Sequence, residues 1–66
     1  MNLLEIKIEA KPHQAMLDDP QGEVLRALEK VTSAIKEGRY DGVLYDSNGN
    51  YIGEWYFEPT ILEDEE

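Results

Sequence analysis

One series of side chains in this sequence has the types and spacing of a calcium site. Asp46, Asn48 and Asn50 alternate along the chain as the first ligands of a calcium-binding loop do. Such a loop also needs Gly at its sixth position and Glu at its twelfth. Here Gly49 stands fourth and Phe57 twelfth, so these residues predict a turn, and we expect no metal.

The remaining candidates for chemistry stand alone in the sequence. His13 has neither a second His nor a Cys with which to share a metal, so we expect a surface or half-packed side chain. Ser33 and Ser47 have no partner base in the sequence, and no glycine-rich phosphate loop or nucleophile motif occurs. Carboxylates are plentiful, but no pair of them has a local reason to be buried or perturbed as acid–base catalysis requires. We therefore expect no enzymatic activity and no cofactor.

Charge is the unusual bulk property of this 66-residue chain, which has six Lys and Arg against 15 Asp and Glu, a net charge of −9. That balance opposes direct binding to nucleic acid or anionic membranes, since both are polyanions. The absence of Cys excludes disulfides and thiolate zinc sites. Without a long apolar segment or a signal peptide, we expect a cytoplasmic protein with no membrane association.

Periodicity predicts the first two elements of a single small domain. Residues 4–10 alternate aliphatic with charged side chains, which is typical of a half-buried strand. A connector over residues 11–18 follows, with room for a short helical turn, and its Met16 and Leu17 should cover an edge of the core. A helix is predicted over residues 20–37, capped by Asp18 or Asp19 and ended by Gly38. Its apolar stripe is Val24, Leu25, Leu28, Val31 and Ile35.

Two runs rich in aromatic and β-branched residues, 40–45 and 50–57, predict a hairpin. A two-residue turn at Asn48-Gly49 would pair Ser47 with Asn50. A type I turn beginning at Asp46, with Gly49 left-handed, would pair Asp46 with Asn50, and we favour this second turn.

Alternation in the third strand predicts which side chains face the helix. Tyr51, Gly53, Trp55 and Phe57 should share the core face, and Ile52, Glu54, Tyr56 and Glu58 the other. The predicted fold class is therefore α+β, with the order β-α-β-β over residues 1–59. One helix packs on one face of a three-stranded sheet, and the third strand can lie between the other two, antiparallel to both. Residues 60–66 form an acidic tail.

The negative charge is concentrated in one segment. Residues 42–66 hold seven acids and no base, a net charge of −7, whereas residues 1–17 are neutral. An acidic strand face that also carries apolar and aromatic side chains suits a basic protein surface. Solubility alone is the competing explanation for such acids. The predicted partner-binding residues are Ile52, Glu54, Tyr56, Glu58 and Asp46.

A family resemblance rests on turn and packing residues between positions 28 and 57. They are Gly38, Gly42-Val43-Leu44-Tyr45-Asp46, Asn48-Gly49-Asn50, Ile52-Gly53 and Trp55. The chain resembles short proteins of phages and prophages that end in a hairpin with an Asn-Gly-Asn turn. By type it is similar to small acidic anti-CRISPR and anti-restriction inhibitors, some of which present carboxylates where a nuclease expects phosphates. The family contributes no catalytic residue.

Together these features predict a non-enzymatic interaction protein, encoded by a phage. It would bind and inhibit or modulate a host protein with a basic surface, such as a nucleic-acid-binding protein, in the cytoplasm of the host cell. The alternative hypothesis is a homodimeric structural or assembly component whose outer sheet face is buried by its own copy.

Overall fold

The computed structural model describes residues 2–9 and 13–60, which form three strands and two helices. In chain order they are β1 (Leu4–Ile8), α1 (Gln14–Asp18), α2 (Pro20–Lys36), β2 (Asp41–Tyr45) and β3 (Tyr51–Phe57). The sheet order is β1-β3-β2, and β3 is antiparallel to both neighbours. The predicted α+β class is confirmed, and the strand order, which the sequence left open, places the third strand in the centre. The predicted acidic tail, apart from Thr60, lies outside the described residues.

The long helix begins and ends at the predicted signals. Of the two candidate caps it is Asp19 that acts, since its side chain accepts a hydrogen bond from the Gly22 N–H at 3.1 Å, and Pro20 occupies the first turn. Gly38 follows the helix with a φ of +87°, the left-handed conformation that favours glycine. In α1, Met16 is buried as expected, whereas Leu17 is exposed.

The face that α2 buries differs from the predicted stripe. Ala27, Val31 and Ala34 are buried, whereas Leu25 is 59% exposed and Leu28 39% exposed. Small alanine side chains let a helix lie close to a sheet, and Ala27 and Ala34 share the core cluster with the large indole of Trp55. The buried face of α2 is therefore centred on Ala27, Val31 and Ala34 and not on the aliphatic stripe.

The hairpin has the favoured type I turn. The Gly49 N–H donates to the Asp46 carbonyl at 3.0 Å, and the Asp46 N–H donates to the Asn50 carbonyl at 2.9 Å. Gly49 has a φ of +85°, as the left-handed position of this turn requires.

A bulge in β3 overturns part of the predicted sidedness. Leu44 pairs with Gly53 and Tyr45 with Tyr51, so Ile52 is an extra residue between the two pairs. Ile52 is therefore only 2% exposed and belongs to the core, while Tyr51 is 51% exposed on the other face. Beyond the bulge the prediction holds, because Trp55 is buried and Glu54 and Tyr56 are exposed.

The core lies between α2 and the sheet and is incomplete over β1. It consists of Met16, Ala27, Val31, Ala34, Leu44, Ile52 and Trp55, with Ile6, Ile8, Ile35 and Phe57 packed against it. Within the sheet, α2 packs chiefly against β2, and Leu4 of β1 remains 44% exposed. In the described part of the chain, no helix has the length and apolar character needed to cross a membrane.

Candidate functional site

The side of the sheet opposite α2 carries a row of exposed side chains, which we name the outer sheet face. Strand alternation and the observed pairing place these side chains together. They are Glu5, Lys7, Asp41, Val43, Tyr45, Tyr51, Glu54 and Tyr56.

Cross-strand neighbours give this face an acidic and aromatic character. Tyr56 lies between Glu5 and Asp41, and Glu54 lies between Lys7 and Val43. Directly paired side chains in antiparallel strands are close enough to act on one ligand group. The face therefore combines three carboxylates with one lysine.

Lys7 forms no salt bridge with any of these three carboxylates. Within residues 2–9 and 13–60, the one ion pair joins Arg26 to Glu23, at 2.6 Å. Lys7 therefore lies opposite Glu54 in the sheet without forming an ion pair with it.

One end of the face is organised by Glu58. Its carboxylate accepts hydrogen bonds from the Thr60 hydroxyl and the Tyr56 hydroxyl, which together lower the pKa of Glu58. The same hydrogen bond, with the negative charge of Glu58, raises the pKa of Tyr56. Tyr56 is thus held as a neutral donor with its ring fixed on the outer sheet face, and Glu58 is half-buried beside it.

Asp46, by contrast, is a structural residue of the turn. It is 5% exposed, and its carboxylate accepts from the Asn48 N–H at 2.9 Å, the Asn50 N–H at 2.8 Å and the Asn50 amide at 3.1 Å. Burial alone would raise the pKa of Asp46, but these hydrogen bonds, helped by nearby His13, lower it. The Asp46 carboxylate is therefore used within the turn and lies apart from the outer sheet face, and its partner-binding role stays a prediction.

The lowered pKa of Asp46 predicts an acid-dependent loss of stability. A carboxylate whose pKa is lower when folded stabilises the fold above its ordinary value of 3.8, and this stabilisation disappears as the pH falls through the lower folded value. Asp46→Asn should therefore be less stable than the unmodified protein at neutral pH, with the difference shrinking below about pH 4. Urea unfolding midpoints measured across pH test this.

The matched control for that series is Asp41→Asn, which alters an exposed carboxylate of the same hairpin. Any pH dependence that both variants share reflects the loss of one negative charge from the hairpin and not the hydrogen bonds of Asp46. A pH-independent difference for Asp46→Asn would contradict the assignment.

The predicted site residues thus divide into two groups. Glu54 and Tyr56 are neighbours on the outer sheet face, with Glu58 at its end, but Ile52 is in the core and Asp46 is in the turn. Sequence reasoning did not include Tyr45 and Tyr51, which pair across the hairpin with about half of each side chain exposed. The alternation of side chains in β2, with Leu44 buried, could have placed Tyr45 on the outer sheet face. The outward orientation of Tyr51 follows only from the bulge at Ile52.

A buried carboxylate connects the helix to the hairpin. Glu23, 3% exposed, accepts from the Ser47 N–H and the Ser47 hydroxyl, both at 2.8 Å, and from Arg26 at 2.6 Å. All of these donors are protein groups, so Glu23 serves to hold the turn against the first turn of α2. His13 is half-buried, and among the described residues no group of three or more metal-ligating side chains is close enough together to hold a metal ion.

Comparison with known proteins gives no relative. No protein-family model matches the chain, and neither the curated proteins nor the solved structures contain a match.

Proposed function

We propose that this chain is a non-enzymatic interaction protein that binds a basic surface of another protein through the outer sheet face. The observation that carries the proposal is the alternation, on one exposed surface, of tyrosines with carboxylates that form no ion pair within residues 2–9 and 13–60. Carboxylates select Lys and Arg and speed association with them. Tyrosine is also a frequent anchor of interfaces, because its ring buries area while its hydroxyl keeps a hydrogen bond.

The geometry suggests how an arginine-rich surface would be bound. A guanidinium that approaches Tyr56 meets an aromatic ring flanked by Glu5 and Asp41. Stacking on the ring and hydrogen bonding to a carboxylate then act on the same cation. The aromatic pair Tyr45 and Tyr51 supplies apolar contact beside this acidic part.

We further propose that the partner is a host protein whose basic surface normally holds nucleic acid, and that the chain is phage-encoded and inhibits or modulates that partner. The support is the charge distribution and the resemblance of the hairpin to short phage proteins. Occupation of a basic surface by carboxylates excludes the polyanion that would otherwise bind there.

Charge reversal at two positions tests the use of this face. Glu54→Lys lies on the outer sheet face, and Glu29→Lys lies on an exposed position of α2. Both change the net charge equally. Partners are captured from host lysate with the unmodified protein, identified by mass spectrometry, purified and titrated by calorimetry.

We expect Glu54→Lys to weaken binding at least about tenfold, because a favourable charge contact becomes a repulsive one. Glu29→Lys should keep nearly full affinity. Equal weakening by both variants would show that bulk charge, not this face, drives binding, and it would refute the proposal.

A further inference from the structure

One edge of the β1 backbone has no strand partner within residues 2–9 and 13–60. The Glu58 N–H donates to the Leu3 carbonyl and the Glu9 N–H donates to the Ile52 carbonyl, each at 2.8 Å. Since backbone groups alternate in an antiparallel ladder, the odd-numbered residues of this strand bond to β3. The groups that point away from β3 belong to Leu4, Ile6 and Ile8. No described residue pairs with that side of the strand.

The sequence of β1 is complementary to itself when read in the opposite direction. An antiparallel pair of two copies, with its two-fold axis at Ile6, places Leu4 opposite Ile8 of the second copy on the core side. On the outer side it places Glu5 opposite Lys7 of the second copy, twice by symmetry. Opposite charges directly across a strand pair are stabilising.

In this register the outward-pointing N–H and C=O groups of β1 form the hydrogen bonds between the two copies. Centring the axis on Ile6 makes Leu4, Ile6 and Ile8 the hydrogen-bonded positions, and these are the residues whose N–H and C=O groups point outward. The non-hydrogen-bonded positions are then Glu5 and Lys7, where side chains approach most closely. The neighbouring symmetric registers, centred on Glu5 or Lys7, would place like charges opposite each other, which is destabilising.

Charge also distinguishes β1 from the other free edge. Residues 1–17 are neutral overall, with two acids and two bases, whereas residues 42–66 carry seven acids and no base. Two copies of a chain with a net charge of −9 therefore repel least at β1. The incompletely covered aliphatic side of this strand, with Leu4 44% exposed, gives the same edge apolar surface to bury.

We propose that two copies of this chain associate by antiparallel pairing of their β1 strands about Ile6, which forms one continuous six-stranded sheet. The inference is independent of the proposed partner binding. If both hold, the dimer presents two outer sheet faces side by side on one surface, so that a partner with repeated basic sites binds with avidity.

A charge-swap series tests the pairing by sedimentation equilibrium. Lys7→Glu places two glutamates opposite each other at both symmetric positions, and we expect at least a tenfold rise in the dimer dissociation constant. The double variant Glu5→Lys/Lys7→Glu restores the opposite-charge pairs between copies and should recover the dimer. Both variants place a glutamate beside Glu54 within the protomer, so any intramolecular cost is common to them.

Disulfide trapping provides a second measurement, since the chain has no cysteine. Glu5→Cys and Lys7→Cys are prepared separately and then mixed under mild oxidation. The proposed pairing places Cys at position 5 of one copy directly opposite Cys at position 7 of the other, as a non-hydrogen-bonded pair. The two Cα atoms are then about 4.5 Å apart, which is within the range for a disulfide. In either variant alone the sulfurs lie on the diagonal, about 7–8 Å apart, so only the mixture should form covalent dimers efficiently.

Three outcomes would overturn the proposal. A strictly monomeric unmodified protein excludes self-association. A dimer that Lys7→Glu leaves intact uses another surface. The proposed register is excluded if the double variant does not recover the dimer and the mixture of cysteine variants forms no more covalent dimer than each variant alone.

Discussion

Gly53→Ala is expected to lower the free energy of unfolding by about 3 kcal/mol or more. The added methyl group would collide with the backbone of β1, which cannot move aside as a flexible side chain can. A Cβ built on Gly53 would lie 1.9 Å from the Lys7 carbonyl oxygen and 2.9 Å from the Ile8 Cα. Strands β1 and β3 would have to separate at the point where they pair. For a 66-residue domain with a total stability of about 3–10 kcal/mol, a loss of this size removes between roughly a third and all of the free energy of unfolding.

The measurement is urea unfolding followed by the fluorescence of the single tryptophan, Trp55, which is buried. Gly49→Ala is the matched control, since Gly49 has open space around its Cα but a φ of +85°. That substitution should cost about 1–2 kcal/mol from left-handed strain alone. A cost for Gly53→Ala no greater than that of the control would contradict the close strand approach.

Glu23→Ala is expected to lower the free energy of unfolding by about 2–3 kcal/mol, since hydrogen bonds to a charged group contribute more than neutral ones. The substitution removes the acceptor of the Ser47 N–H and hydroxyl and detaches the hairpin turn from α2. For a small domain this corresponds to a fall in Tm of about 10 °C or more, measurable by calorimetry.

Two variants separate this contact from general charge effects. Glu29→Ala removes an exposed carboxylate of the same helix and should change stability by less than about 0.5 kcal/mol. Arg26→Ala removes the partly exposed ion-pair partner of the buried Glu23 but leaves both Ser47 hydrogen bonds in place, so it should cost less than Glu23→Ala. If Glu23→Ala behaved like Glu29→Ala, the buried carboxylate would not hold the turn.

The helix and the hairpin turn were predictable because their determinants are local. The Asp19 cap bonds to Gly22, three residues away, and the type I turn closes between Asp46 and Gly49. Such bonds form between groups that are close in the chain, whatever the rest of the fold does. The element order and the α+β class followed from these boundaries.

The composition of the outer sheet face was only partly predictable. Glu54 and Tyr56 follow simple alternation, but the bulge exchanges the faces of Tyr51 and Ile52. A bulge depends on the register against a partner strand, which the sequence of β3 alone does not contain.

By itself the sequence determined the elements, their order and the concentration of negative charge in residues 42–66, because charges and local hydrogen bonds are properties of neighbouring residues along the chain. Only the tertiary structure decided which carboxylates face outward together and which accept hydrogen bonds inside the fold. Glu54 shares an exposed face with Tyr56, while Glu23 is buried against Ser47, 24 positions away. The physical reason is that burial and pairing join groups distant in the chain, so the packing of α2 and the sheet decides the role of each carboxylate.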